Sequence, residues 1–194
     1  MRTENDRKLE GIAVAGVEKC MAKLSRVSAA KWSVAGIRVS RGSMDDVVRS
    51  HSAAGGTGAA VYFEVAGEHP FTSMVVFRPE DIDILSRGFL GFAFSKLPGM
   101  NQAQELLLSE LGNIILNAFI SALSNALKRS FLPSAPKCVS GETQFLLEAL
   151  CHTLGGKQPR SVVTVTLDLQ CDKSVTRSEV VALIPESLEL ALRA

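Results

Sequence analysis

Polar residues recur at helical spacing through the otherwise apolar segment from Ser109 to Ser130, SELGNIILNAFISALSNALKRS. At about 3.6 residues per turn, Glu110, Asn113, Asn117, Ser121, Ser124 and Lys128 fall along one narrow stripe, while leucine, isoleucine and phenylalanine fill the remaining face. The pattern predicts a buried helix with a single polar edge. Pro98 and Gly99 break the chain before it, and Asn101 with Gln104 has the spacing of a capping box. Lys128 and Arg129 suit the negative C-terminal end, and Pro133 lies just beyond, so the helix is predicted over Gln102 to Arg129. A plain solvated edge favours lysine and glutamate, whereas each asparagine costs about 0.5 kcal/mol relative to alanine. Two asparagines and Gly112 therefore suggest that something besides helix propensity selects this edge.

The same periodicities divide the rest of the chain. Leu9, Ile12, Ala13, Val17, Cys20, Met21 and Leu24 predict a helix over Arg7 to Arg26, and Ser33 to Ser40 predicts a strand. HSAAGGTGAA, small and glycine-rich, reads as a loop or hairpin connection; VYFEVAG and SMVVFR read as strands joined around His69 and Pro70. Pro79 suits the first position of a short helix that closes at Gly91. After the long helix come a strand at KCVSG, a short helix in TQFLLEALCHTLGG, strands at SVVTVTLDLQ and SEVVALIP, and a helix at PESLELALRA. The two halves run in the same order, with Leu24 laid on Leu123 and Pro79 on Pro185. This predicts one α/β domain over residues 1–194, built from internal repeats of approximately 1–97 and 98–194 with two long helices against one sheet.

Composition narrows the functions available. A chain of 194 residues with 46% hydrophobic content buries a sizeable core. Its 21 lysines and arginines against 20 acidic residues leave no basic excess for a phosphate backbone, so no nucleic-acid partner is expected. The apolar run from Leu106 to Leu127 approaches the roughly 20 residues of a membrane helix. Glu110, Asn113, Asn117 and Asn125 would each need a partner in hydrocarbon, so a core helix is expected and no membrane span. MRTENDRKLE lacks the apolar run of a secretory signal, which points to the cytoplasm. Cys20, Cys138, Cys151 and Cys171 form no CxxC pair, and His51, His69 and His152 have no ligand spacing, so no metal site is expected. GGTGAA lacks the lysine of a P-loop, Asp45 and Asp46 read as a solvated helix start or turn, and Trp32 as a core anchor.

Glu110 and Asn113 in ELGN, with Pro136 after twenty-two intervening residues, resemble the CheC/CheX family of response-regulator phosphatases, related to the flagellar switch phosphatase FliY. The family pattern is Asp or Ser, three residues, Glu, two residues, Asn, twenty-two residues and Pro. ALS at Ala122 to Ser124 and the late VALIPESLE are also similar, and the duplicated plan resembles CheC. The resemblance implies a CheC-like α/β (α+β) fold of two pseudo-symmetric halves, with long helices packed on a continuous, mainly antiparallel sheet. It implies hydrolysis of the aspartyl phosphate of a CheY-type response regulator, in chemotaxis or related two-component signalling. Asn113 would orient the attacking water, Glu110 would engage a lysine of the regulator, and Pro136 would shape the path from helix to strand. No cofactor of its own is implied, because the divalent metal belongs to the regulator; a CheD-like protein is a further possible partner. Two departures stand out. Leu106 occupies the place of the family's Asp or Ser, with Ser109 and Asn117 nearby as a possible rim, and Gly11 and Val14 fill the matching places of the first half. These departures motivate an alternative, a non-catalytic binding or adaptor module for a regulator, a CheD-like partner or a flagellar switch component.

Overall fold

A computed structural model describes residues 4–52, 57–92, 101–142, 145–149 and 160–193. The first half runs α1 (Glu4–Val27), β1 (Trp32–Gly42), α2 (Met44–Ser52), β2 (Thr57–Gly67), β3 (Phe71–Phe77), a 3-10 turn (Pro79–Asp81) and α3 (Ile82–Leu90). The second runs α4 (Gln102–Leu127), β4 (Phe131–Pro133), β5 (Lys137–Glu142), α5 (145–149), β6 (Arg160–Cys171), β7 (Ser174–Pro185) and α6 (Glu186–Arg193).

The strands form one sheet in the order β1-β6-β7-β3-β2, with β4 and β5 following one another along the outer edge of β2. Every pairing is antiparallel. Read from the other end, the order exchanges β1 with β5, β6 with β2 and β7 with β3, so the halves are pseudo-symmetric about a line between β3 and β7. At that line Met74 pairs with Val181 and Val75 with Val180. The shift that lays Pro79 on Pro185 carries Met74 to Val180 and Val75 to Val181, which exchanges the two pairs. Pro79 opens the turn into α3, and Pro185 ends β7 immediately before α6.

Helices cover both faces. On one, α1, α3, α4 and α6 bury Leu24, Leu85, Ile115 and Leu188 against Val61, Val75, Leu167 and Val180 of the sheet. On the other, Val47 of α2 with Leu146 and Leu147 of α5 closes over Ala60, Met74, Val162 and Val181. Trp32 is buried and its Nε1 donates to Ser28 Oγ at 2.7 Å. Under α3, buried Asp81 accepts from Arg78 Nη2 at 2.8 Å and from the Arg177 backbone N–H at 2.9 Å, tying the 3-10 turn to β7.

Two local readings are corrected. Thr57–Ala60, expected in a loop, is the start of β2: Ala59 and Ala60 are buried and Gly58 pairs with Gly141, because small side chains let helices approach both faces here. His51 and Ser52 of that stretch close α2 instead, and residues 53–56 lie outside the described residues. β4 was not expected, and Pro136 therefore stands between β4 and β5, one strand further on than the end of α4. The short helix expected in TQFLLEALCHTLGG is seen over 145–149, and its remainder from residue 150 lies outside the described residues.

α4 owes its length to its ends and its seat. Asn101 Oδ1 accepts from the Gln104 N–H at 2.9 Å, and Gln104 Oε1 accepts from the Asn101 N–H at 3.0 Å, completing the capping box. Lys128, at φ 53°, turns the chain out through a left-handed residue. Between them Leu108, Leu111, Ile114, Ile115 and Leu116 are at most 1% exposed. Burying each of these contributes about 1.5–3 kcal/mol, far more than the propensity cost of Asn113, Asn117 and Gly112, about 0.5–1 kcal/mol apiece. α4 is the one helix among the described residues long and apolar enough to cross a membrane, and 61% of its apolar window is buried inside the fold.

Candidate functional site

The polar stripe of α4 divides into two parts. Toward the C-terminal end it belongs to the fold: Ser121 Oγ accepts from Lys19 Nζ of α1 at 3.0 Å, and Ser124 Oγ donates to the Arg129 carbonyl past the helix end. Toward the N-terminal end it faces outward. Glu110 is exposed and, among the described residues, its carboxylate makes no ion pair or hydrogen bond. One turn on, Asn113 is half-buried, as is Asn117 after it. Glu110 and Asn113 thus share the open face that sequence spacing placed them on.

Asn113 is held from below. Asn117 Nδ2 lies 2.9 Å from the Asn113 backbone oxygen and 2.6 Å from Asn113 Oδ1, so a single amide nitrogen spans both acceptors. Among the described residues the Asn113 Nδ2 group has no hydrogen-bond partner, which leaves its two donors available at the surface.

Leu106, at the same place on the helix circumference, is 73% exposed, the largest fraction for any large apolar side chain among the described residues. Beside it a shallow groove separates α4 from β5, lined by Gln102, Ala103, Glu105, Leu106, Ser109 and Cys138. Ser109 is half-buried on that flank and hydrogen-bonds Cys138. Burial pushes the Cys138 thiol up, against the downward pull of the Ser109 bond, and the nearby Glu105 charge adds to the rise. Cys138 was not anticipated at this face, because only the pairing of β5 with β2 brings it under α4.

Pro136 completes the edge rather than the polar face. β4 and β5 would be one strand but for residues 134–136, where the Ser134 N–H donates to the Glu64 carbonyl at 2.9 Å and the Glu64 N–H to Ser134 Oγ at 3.2 Å. Pro136 has no N–H to offer the ladder, which suits it to this interruption. From Gln102 to Leu127 the helix carries Glu105 and Glu110 and no lysine or arginine, so its open face is acidic. Among the described residues no three His, Cys, Asp or Glu side chains come together in a way that suits a metal ion.

No protein-family model and no curated protein matches the sequence. Solved structures do match. FliY of Thermotoga maritima superposes over 100% of this chain and 96% of its own at 14% identity, with a TM-score of 0.72. The fold is of the CheC/CheX/FliY type. The FliG–FliM complex of H. pylori contains a chain of this type, matched over 98% of this chain and 100% of that one at 13% identity and a TM-score of 0.69. The CheX–CheY–BeF3–Mg2+ complex of Borrelia burgdorferi gives 95% and 99% coverage at 14% identity and a TM-score of 0.54. In this CheC-type fold the sequence-selected Glu110 and Asn113 stand on the outward side of a sheet-packed central helix, with Leu106 and the Ser109 flank beside them.

Proposed function

We propose that the chain is a CheC-like phosphatase that hydrolyses the aspartyl phosphate of a CheY-type response regulator in the cytoplasm. The observation that carries this reading is the outward pair on α4, Glu110 beside an Asn113 whose amide is already oriented. An aspartyl phosphate is an activated acyl phosphate, so the catalyst has chiefly to place a water in line with phosphorus. Asn113 Nδ2 donates to that water, whose second lone pair attacks phosphorus. The bond from phosphorus to the aspartyl oxygen breaks, the carboxylate leaves with its electron pair, and the water proton passes to the phosphate released. Glu110 docks the regulator through a lysine, a charge-assisted contact favoured by the acidic face. The divalent metal that neutralises the phosphoryl oxygens is the regulator's own. The neighbour solved as CheX with CheY, BeF3 and Mg2+ lends support to a receiver as partner for this fold. The test is phosphate release from a phosphorylated cognate regulator with Mg2+: acceleration over the regulator alone is expected, and no acceleration by any candidate regulator overturns the reading.

Leu106 favours a second reading. An apolar side chain 73% exposed where the family pattern has Asp or Ser suits a binding module for a regulator, a CheD-like protein or a switch component, and the FliM middle domain shares the fold. Tight binding of the phosphorylated regulator without faster dephosphorylation would select it.

A further inference from the structure

We infer that Asn117 is a positioning residue that fixes which atoms of the Asn113 amide face a partner; the inference deepens the phosphatase reading, and its kinetic arm rests on that reading. The assignment follows from hydrogen-bond chemistry. A backbone carbonyl only accepts, so the Asn117 atom 2.9 Å from the Asn113 oxygen is the NH2 nitrogen. That same nitrogen lies 2.6 Å from the Asn113 side chain, so the Asn113 atom there is the acceptor, Oδ1. Asn113 Nδ2 is thereby turned away from Asn117, and Oδ1 keeps one lone pair.

The consequence is chemical. The terminal torsion of an asparagine is broad and roughly two-fold, so an untethered side chain offers oxygen and nitrogen alternately. Phosphoryl oxygens only accept and the attacking water accepts as well as donates, so an outward nitrogen face meets both, and the free Oδ1 lone pair accepts from the water. Asparagine in mid-helix is unfavourable, and Asn117 makes its bonds to Asn113 rather than to the core. Ser121, the next residue along the stripe, is engaged instead with Lys19.

Two variants of the full chain test this. Asn117→Ala removes the clamp, and Asn117→Asp replaces the donor with an acceptor that draws Asn113 Nδ2 inward. In the free protein the Asn113 side-chain 15N order parameter is expected to be high in wild type and to fall below about 0.6 in Asn117→Ala. In Asn117→Asp the Asn113 NH2 resonance is expected to shift as the nitrogen becomes engaged. With phosphorylated regulator, kcat is expected to fall about five- to tenfold in Asn117→Ala and at least as far in Asn117→Asp, with KM unchanged, as the loss of one hydrogen bond implies. An Asn113 amide with the same order parameter and shift in wild type and both variants overturns the inference. So does equal kcat for all three where wild type is active. Should wild type not accelerate phosphate release, the phosphatase reading fails by itself, and the amide resonances decide the role of Asn117 alone.

Discussion

Gly112 of α4 lies so close to β2 that a Cβ built on it would stand 2.5 Å from the Cβ of Val61. The sequence offers Gly112 as an unexplained cost to the helix; the structure makes it the point where α4 sits down on the sheet. That seat sets the height of the next residue, Asn113, above the fold.

Gly112→Ala is therefore expected to destabilise. Alanine gains about 1 kcal/mol in helix propensity, but overpacking against the stem of Val61 costs about 1–3 kcal/mol. Tm should drop by a few degrees, at about 2–4 °C per kcal/mol for a chain of this size. Adding Val61→Gly, which removes that Cβ with its methyls, should cost less in the Gly112→Ala background than in wild type. Additive effects in thermal unfolding of the four proteins would refute the contact.

Leu106 contributes to the surface and not to the fold. With 73% of it exposed, Leu106→Ser should leave Tm within about 1–2 °C. Under the phosphatase reading it should raise KM for the phosphorylated regulator and leave kcat unchanged. A large loss of stability would show that Leu106 packs internally.

Asp46 sets a pH dependence at the start of α2. Ser43 caps the helix: Asp46 Oδ2 accepts from the Ser43 N–H at 2.9 Å and from Ser43 Oγ at 2.7 Å, and Asp46 Oδ1 accepts from Arg49 Nη2 at 2.6 Å. These bonds, Ser43 first, lower its pKa from the ordinary 3.8 to about 2. A carboxylate depressed on folding stabilises the native state above its unfolded pKa, and that contribution is lost as pH falls through its folded value. The support from Asp46 should thus be complete above about pH 4 and decline toward pH 2. An NMR titration of the Asp46 carboxyl checks this; a midpoint near 3.8 would mean the capping bonds are absent in solution.

Cys20 should resist thiol reagents. It is 0% exposed in α1, and burial, partly offset by the charge of Lys23, pushes its thiol up to about 12. Labelling at pH 8 should reach Cys20 only on unfolding, at a rate set by denaturant. Rapid labelling of Cys20 in the native protein, read by peptide mass mapping, would contradict the α1 packing.

The elements legible from sequence were those whose pattern is their own. α4 declared itself by period and capping box, and the observed span Gln102–Leu127 differs from expectation only at Lys128 and Arg129, where the left-handed turn cuts the helix short. β4 was hidden because three residues between a helix end and a proline carry no alternation. Thr57–Ala60 was hidden because alanine and glycine give no contrast between faces. At the candidate site, Glu110 and Asn113 were legible as candidates through spacing and resemblance. The Asn117 clamp was not, because spacing of four residues places two amides together without saying which atom meets which. Nor was the Ser109 to Cys138 contact, which depends on where the sheet edge runs.

The most direct measurement is single-turnover phosphate release from a phosphorylated cognate regulator, comparing wild type with Asn113→Ala at saturating protein. Wild type is expected to accelerate release, and Asn113→Ala to slow it at least about tenfold, toward the regulator's own rate, while regulator binding persists. Equal rates for the two proteins would contradict this expectation.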